Sequence, residues 1–428
     1  MIGGGGTRLL LQSQMRILLL TQFFQPEPMF KGLPFAKALR DLGHEVEVVT
    51  GFPNYPGGKL YPGYRIRLWK REMIDSIPVT RLALFPSHDQ SGLRRIANYL
   101  SFGASAALLA PILVRPPDVV YVYNLITLGL AWRMIRWRYK CPVVLDVQDL
   151  WPESVIKSGM LKSRWIGGVL KRWCRREYAS PDRITVLSPG FKRHLISSGI
   201  SESKIEVIYN WCEEVGTELS KEDAAQLRQE LRFAGRFNVL FAGTMGKVQA
   251  LDTVIAAAKI LRQKAPEVLF TFMGGGVEMD RLKALSAGLP NVQFIPRRSF
   301  QEAMAVTKAA DAVLVHLRKD PLFSITIPSK AQAYLYAGKP ILMGVIGDAA
   351  ALVRDAHAGV FFEPENPGSL TAAVLELFHM PMLERERMGA NGKRYYEEHL
   401  SFAEGVRHFE AVFREVYRRK AQGHPNCE

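Results

Sequence analysis

Continuous apolar runs recur along the chain and alternate with stretches of helical periodicity. Arg16–Gln22 (RILLLTQ) is the first, and a run without polar alternation is what a strand covered on both faces requires. A loop with Pro and Gly and a helical pattern over Leu33–Leu42 lead to a strand at Val46–Thr50, then to a long loop, GFPNYPGGKLYPGYR. Further strands are predicted at Val79–Leu84, Val119–Tyr123, Val143–Val147 and Ile184–Leu187, most of them separated by helical patterns. The programme restarts at Asn238–Gly243. Helix Gln249–Gln263, strand Val268–Met273, helix Val277–Ala287, strand Val292–Ile295 and helix Phe300–Ala309 follow. Strands at Ala312–His316, Pro340–Met343 and Gly359–Phe362 complete this half, and helices Leu383–His399 and Phe402–Lys420 close the chain.

Alternating β and α elements with buried-type strands argue for parallel sheets covered on both faces, here twice over. A length of 428 residues exceeds what one core holds. The expected fold class is therefore α/β, with two Rossmann-like domains whose parallel sheets face a central cleft. Residues 1–14 (MIGGGGTRLLLQSQ) read as a flexible leader, with an apolar run too short for a signal peptide. Residues 15–205 form the first domain and 206–400 the second, with Gly199–Gly216 as the joining segment. The last helix, about 402–420, is expected to pack back onto the first domain, and the tail AQGHPNCE to fray. Open parallel sheets bind ligands beyond the carboxyl ends of their strands, so one domain can hold a nucleotide donor and the other an acceptor.

The formal charge of +15 changes the picture. Between Ala131 and Leu195 fourteen Lys/Arg face five Asp/Glu, interleaved with Trp132, Trp137, Trp165 and Trp173. Amphipathic helices with cationic heads and Trp stems suit an anionic membrane surface, and a solvated basic face is the other reading. No nucleic-acid signature accompanies the charge. The run Ile96–Val114 is mild, rich in Ala and Ser and broken by Pro111; it reads as a helix packed on a sheet, with an interfacial helix as the alternative, and not as a span. Cys141, Cys174, Cys212 and Cys427 lie far apart without His at metal spacing, so a reducing cytoplasm and no metal site are expected.

Four segments carry candidate chemistry. Phe241-Ala-Gly-Thr-Met-Gly-Lys-Val-Gln ends a strand and opens a helix. There Gly243 and Gly246 let amides approach an anion, and Lys247 adds a charge. A tight turn that needs its glycines for packing alone explains the same residues. In Ile327-Pro-Ser-Lys-Ala-Gln, Pro328 and Ser329 begin a helix that Gly338 ends, which puts Lys330 in the first turn. A cation there opposes the helix dipole, so a bound phosphate explains Lys330 better than helix stability does. Asp146-Val-Gln-Asp-Leu-Trp-Pro-Glu-Ser follows a buried strand and offers carboxylates, Asp149 and Glu153 among them, as an acceptor wall; capping of the next helix is the plainer use. Phe23-Phe-Gln-Pro-Glu-Pro-Met-Phe-Lys-Gly is the first loop, with Gly32 opening a helix.

These pieces, together with HEVEVVTGFPNYPGGKLYPGYR (His44–Arg65), AGTMGKVQALDT (Ala242–Thr253) and IPSKAQAYLYAGKP (Ile327–Pro340), resemble glycosyltransferase family 4. The resemblance runs over about Met15–Arg418 and within the family points to the WbuB-like branch of O-antigen and capsule transferases. It implies the GT-B fold and a retaining, metal-independent transferase with no cofactor other than its nucleotide-sugar donor, UDP-linked by preference and GDP-linked as the alternative. The donor diphosphate would rest on Gly243, Thr244, Gly246, Lys247 and Lys330, with Gln249, Ser329, Gly275, Gly276, Arg297 and Gly32 completing the binding set. Gly274–Glu278 would line the donor pocket and Gln293–Arg297 the base. Lys330 and Lys247 would stabilise the leaving nucleotide, and Asp149 and Glu153 would orient a polyprenyl-diphosphate-linked acceptor. The enzyme would act as a peripheral protein on the cytoplasmic face of the membrane.

Two features of the family pattern are missing here. Its Glu-x7-Glu falls here on Ile325 and Ala333, and the place of a His in the first domain is taken by Asn124. A nucleotide-sugar-binding protein without catalysis and a GT-B sugar-nucleotide epimerase therefore remain as rival readings.

Overall fold

The computed structural model describes residues 14–87, 92–124, 126–153, 164–216 and 220–422. Residues 1–13 of the leader, Ser154, the Trp165 side chain and residues 423–428 of the tail lie outside the described set. The chain divides into two compact units. One holds the chain up to Val186, Leu195–Glu206 and everything from Val406 on; the other holds Leu187–His194 and Val207–Gly405.

The first unit is built on an eight-stranded sheet in the order β3-β4-β2-β1-β5-β6-β7-β8. Its strands are β1 (Arg16–Leu20), β2 (Glu45–Gly51), β3 (Trp69–Ile74), β4 (Ile77–Leu82), β5 (Val119–Tyr123), β6 (Val143–Val147), β7 (Arg183–Val186) and β8 (Ile205–Val207). β1 is parallel to β2 and β5, with Leu18 beside Glu47 and Val120. Ile17, Leu18, Leu19 and Leu20 are all buried, as expected of a strand covered on both faces. β3 is a departure from the all-parallel expectation: it runs antiparallel to β4 at the sheet edge, with Trp69 opposite Leu82. It joins β4 through Asp75 and Ser76, both with positive φ, as a tight hairpin turn demands.

Helix α1 (Leu33–Asp41) follows β1, and α2 (Gly92–Leu113) and α3 (Gly129–Tyr139) pack against each other. Among the described residues α2 is the one helix long and apolar enough to cross a membrane by length and composition. Here it buries Asn98, Phe102, Gly103, Ala106, Ala107 and Ala110 while packing on β2 and β4. The last helix, Phe402–Ala421, completes this core: the Phe409 ring stands 5.3 Å from Phe35 and 5.6 Å from Tyr121, and Phe413 is 5.7 Å from Tyr121.

The second unit is a six-stranded sheet, all parallel, in the order β11-β10-β9-β12-β13-β14. Its strands are β9 (Phe237–Thr244), β10 (Val268–Gly275), β11 (Val292–Ile295), β12 (Ala312–His316), β13 (Ile341–Gly344) and β14 (Gly359–Phe361). One face is covered around Leu240, Val313, Ala331 and Leu335, the other around Phe241, Phe272, Val254 and Leu261. Two sheets covered by helices, the second all parallel and the first parallel but for β3 at its edge, are the Rossmann-like pair that the alternation of elements predicts.

Candidate functional site

In the second unit β9 and β10 lie in register to their last residues, with Gly243 beside Gly274 and Thr244 beside Gly275. The two turns that follow touch backbone to backbone. Gly274 (φ +135°) could not carry a side chain, because its Cβ would fall 2.2 Å from the Gly243 carbonyl oxygen. Met245 N–H donates to Gly275 O at 2.8 Å, and Glu278 N–H returns to Met245 O at 3.1 Å. The Gly246 N–H is taken by the Gln249 side-chain oxygen at 3.0 Å, so Gln249 shapes the turn. Gly243, Thr244, Gly276 and Lys247 are left at the surface.

Helix Ser329–Ala337 docks on this turn. Pro328 precedes its first residue with φ −63°, and Gly338 closes it at φ +68°. Tyr334 fixes its register, because the Ala242 N–H of β9 donates to the Tyr334 hydroxyl at 2.9 Å. Lys330 lies one turn earlier on the same face, and its Nζ sits 3.3 Å from where a Gly243 Cβ would be. That ammonium is buried with no hydrogen-bond partner and stands 3.6 Å from the centre of the Phe241 ring. Burial pushes its pKa down to about 7. A ring face recovers only part of the hydration a cation loses, and the nearby helix N-terminus repels it. The structure thus places Lys330 against Gly243, with Gly275 beside Thr244 and exposed Ser329 next to Lys330. Tyr334 and Phe241 escaped the sequence reading, although spacing four residues beyond Lys330 marks Tyr334. Tyr334→Phe strands the Ala242 N–H, and urea unfolding is expected to show a loss of about 1–3 kcal/mol.

The remaining donor-side candidates are placed less tightly. Arg297 is exposed. Gln293 spends its amide donor on Leu231 O and Thr271 Oγ1, both at 2.9 Å. Ala333 packs against the core, and Ile325, whose carbonyl accepts from the Ser188 hydroxyl, lies against Gly190. Neither position supplies a carboxylate. His316, at the end of β12, is held neutral: burial pushes its pKa down to about 4, and Nε2 accepts from Glu365 N–H at 3.0 Å.

In the first unit the loop after β6 separates its carboxylates. Asp146 is buried and saturated, accepting from Lys31 Nζ and the Tyr121 hydroxyl at 2.7 Å, Thr185 Oγ1 at 2.8 Å and Gln148 Nε2 at 2.9 Å. Lys31 is itself fully buried, and its ammonium lies 4.5 Å from the Phe409 ring centre. Asp146 is therefore structural. Asp149 is exposed, and its loop is ordered by Asn124, whose Oδ1 accepts the N–H groups of Gln148 (3.1 Å) and Asp149 (3.0 Å) while Nδ2 donates to Asp149 Oδ2 (3.0 Å). Asn124 does this from φ +62°, a conformation Asn tolerates better than most residues. Glu153 is half-buried close to Cys174 and Tyr178.

The first loop is closed on itself. Glu27 is buried and accepts three backbone N–H groups, from Phe24 (3.1 Å), Asn54 (2.8 Å) and Tyr55 (2.8 Å). Gly32 is buried under the Gln25 carboxamide, whose oxygen accepts from the Leu33 N–H at 2.6 Å. An anion reaching Gly32 would have to displace that side chain. Among the described residues no group of three or more His, Cys, Asp and Glu could hold a metal ion.

A parallel-sheet unit whose first strand ends in a glycine turn beneath a helix-borne lysine, paired with a second Rossmann-like unit, is the architecture of GT-B glycosyltransferases. The comparisons agree. Residues 33–211 match the model of the glycosyl transferase 4-like domain, and residues 223–395 that of glycosyl transferases group 1. The chain belongs to glycosyltransferase family 4 and is a glycosyltransferase of the GT-B type.

A putative colanic acid biosynthesis glycosyl transferase, WcaI of Escherichia coli, is 25% identical over 351 residues, 79% of this chain and 85% of that protein. The probable glycosyltransferase WbjE of Pseudomonas aeruginosa is 24% identical over 259 residues, 59% of this chain and 64% of its own. Among solved structures, Anabaena HepE in complex with UDP and glucose superposes with a TM-score of 0.67 at 18% identity, covering 94% of this chain and 100% of HepE. The trehalose 6-phosphate synthase of Burkholderia multivorans gives 0.71 at 14%, covering 97% and 100%.

Proposed function

We propose that the chain is a retaining transferase that moves a sugar from a UDP-sugar to a polyprenyl-diphosphate-linked acceptor during surface polysaccharide synthesis, as a peripheral protein on the cytoplasmic face of the membrane. The observation that carries this reading is the unpartnered Lys330 ammonium beside Gly243. A buried cation without a counter-ion is unfavourable until an anion arrives, and a diphosphate supplies one. The solved HepE complexes with UDP and with UDP-glucose support the choice of nucleotide.

In this scheme the bond between the anomeric carbon and the β-phosphate oxygen breaks while the acceptor oxygen bonds to the same face of that carbon. The departing phosphate oxygen takes the acceptor's proton. Charge grows on the β-phosphate as the bond stretches, and Lys330, Lys247 and the amides of the Gly243–Gly246 turn stabilise it there. Thr244, Gln249, Gly275, Gly276, Ser329 and Arg297 complete the donor surface, and Asp149 and Glu153 orient the acceptor. No step calls on a metal.

Thermal shift with UDP, GDP and their glucose conjugates, followed by transfer to a lipid-diphosphate sugar, tests the assignment. Stabilisation by UDP compounds together with product on the acceptor is the expected result. Stabilisation without product would mark a binding protein, and altered sugar released without acceptor an epimerase. Either outcome replaces the proposal.

The Lys330 pKa adds a pH signature. The free protein holds it at about 7 and the bound diphosphate favours the charged form, so donor binding takes up a proton. UDP-glucose affinity, measured calorimetrically, is expected to rise about tenfold from about pH 8 to about pH 6, and to stay flat in Lys330→Met.

A further inference from the structure

The solvent side of α2 carries Leu93, Ala97, Leu100, Ala104, Leu108 and Ile112, all exposed and spaced to form one helix face. Leu93 is 79% exposed, Leu108 72% and Ile112 70%. On α3 the exposed positions Leu130, Met134 and Trp137 make a second apolar stripe, with Trp137 69% exposed. The two helices are tied along their length. Gly103 passes beneath the Thr127 carbonyl, and the Tyr139 hydroxyl contacts the carbonyls of Pro111 (2.9 Å) and Val114 (3.1 Å). A helix pair that faces water normally covers its outer side with charge. This one does not.

The charge around the pair has one sign. From Gly92 to Leu145 the sequence contains one carboxylate, Asp118, against Arg94, Arg95, Arg115, Arg133, Arg136, Arg138 and Lys140. Arg133 and Arg136 are engaged with Glu177 and Asp182 behind the face. Arg138 and Lys140 stand exposed at the end of α3 without a carboxylate partner among the described residues. Trp132, by contrast, is 2% exposed, so the four tryptophans of the basic region do not share one surface.

We propose that this α2–α3 face inserts into the headgroup layer of an anionic bilayer, with Leu108, Ile112 and Trp137 entering the acyl boundary and Arg138 and Lys140 pairing with lipid phosphates. The proposal rests on the reading of the chain as a transferase for a lipid-linked acceptor, and it names the surface that delivers the protein to that lipid. Because the opposite side of α2 is buried on the sheet, the helix lies along the membrane plane. A second copy of the chain suits the face less well, since a symmetric contact would bring the cations of both copies together.

Vesicles of equimolar phosphatidylcholine and phosphatidylglycerol test the surface. The wild type is expected to co-sediment with them, less so at high salt, and poorly with phosphatidylcholine alone. Leu108→Glu with Ile112→Glu, both at exposed positions, is expected to weaken partition by at least about tenfold while leaving circular dichroism, melting and UDP-glucose affinity unchanged. Doxyl-labelled lipid is expected to quench a fluorescence component that Trp137→Phe removes. Equal partition of the double variant overturns the proposal. So does a wild-type dimer in sedimentation velocity that the double variant dissolves, with no vesicle binding by either. Loss of UDP-glucose affinity in the wild type would instead count against the donor reading, so the two failures are distinguishable.

Discussion

Lys330→Met is expected to lower sugar transfer by about 10²–10³-fold while raising the melting temperature of the ligand-free protein. Both effects have one cause. The ammonium that sits 3.6 Å over the Phe241 ring has no hydrogen-bond partner and has lost much of its water. Its folded-state pKa of about 7 lies below the 10.5 of an unfolded lysine. Folding therefore disfavours the charged form, a penalty absent above the unfolded pKa that grows as the pH falls towards 7 and then stays constant. Methionine fills nearly the same volume without the charge and removes the penalty, so a gain of a few degrees is expected by calorimetry. Transfer is expected to move the other way, because in the proposed mechanism this cation meets the charge growing on the leaving phosphate. A variant that loses activity together with stability would point to a packing role for Lys330. One that transfers sugar normally would remove the central residue from the proposed mechanism.

Asp146→Ala carries the second large effect. The carboxylate binds Lys31 at 2.7 Å where both side chains are shut off from water, and it also accepts from Tyr121, Thr185 and Gln148. Breaking a buried pair from one side leaves a charge without a counter-ion, which costs about 3–5 kcal/mol. Lys31→Met alone strands the opposite charge and should cost a similar amount. The double substitution, Lys31→Met with Asp146→Ala, should recover part of the loss, since neither charge is then buried. Denaturant unfolding of the three variants measures this coupling. A single-variant cost below about 1 kcal/mol would show that water reaches the pair.

The second unit was legible in the sequence because its strands are predominantly apolar and alternate with helical patterns. Val292–Ile295 and Ala312–His316 have the same limits in sequence and structure, as does the helix Phe300–Ala309. β3 was missed for the converse reason: Trp69–Ile74 alternates exposed and half-buried residues and includes Lys70, Arg71 and Glu72, so it has no apolar signature. At the donor side, a cation in a first helical turn was enough to single out Lys330. Phe241 and Tyr334 needed coordinates, since their roles depend on how the helix lies across β9. The carboxylates after β6 looked equivalent in sequence. Lys31, 115 residues away from Asp146, decides that Asp146 is interior and leaves Asp149 outside. Trp132 and Trp137 likewise looked alike, but five residues turn a helix by about 140°, which puts them on different sides.

The placement of Phe409 and Phe413 has a consequence for biosynthesis. These rings close over Tyr121 and Phe35, yet they emerge from the ribosome after every strand of both sheets has been made. Until then the nascent first unit carries an open apolar flank with Lys31 at its margin, a natural target for chaperones. A chain ending at Gly405 would be left permanently in that condition, with its second unit complete and its first prone to aggregate.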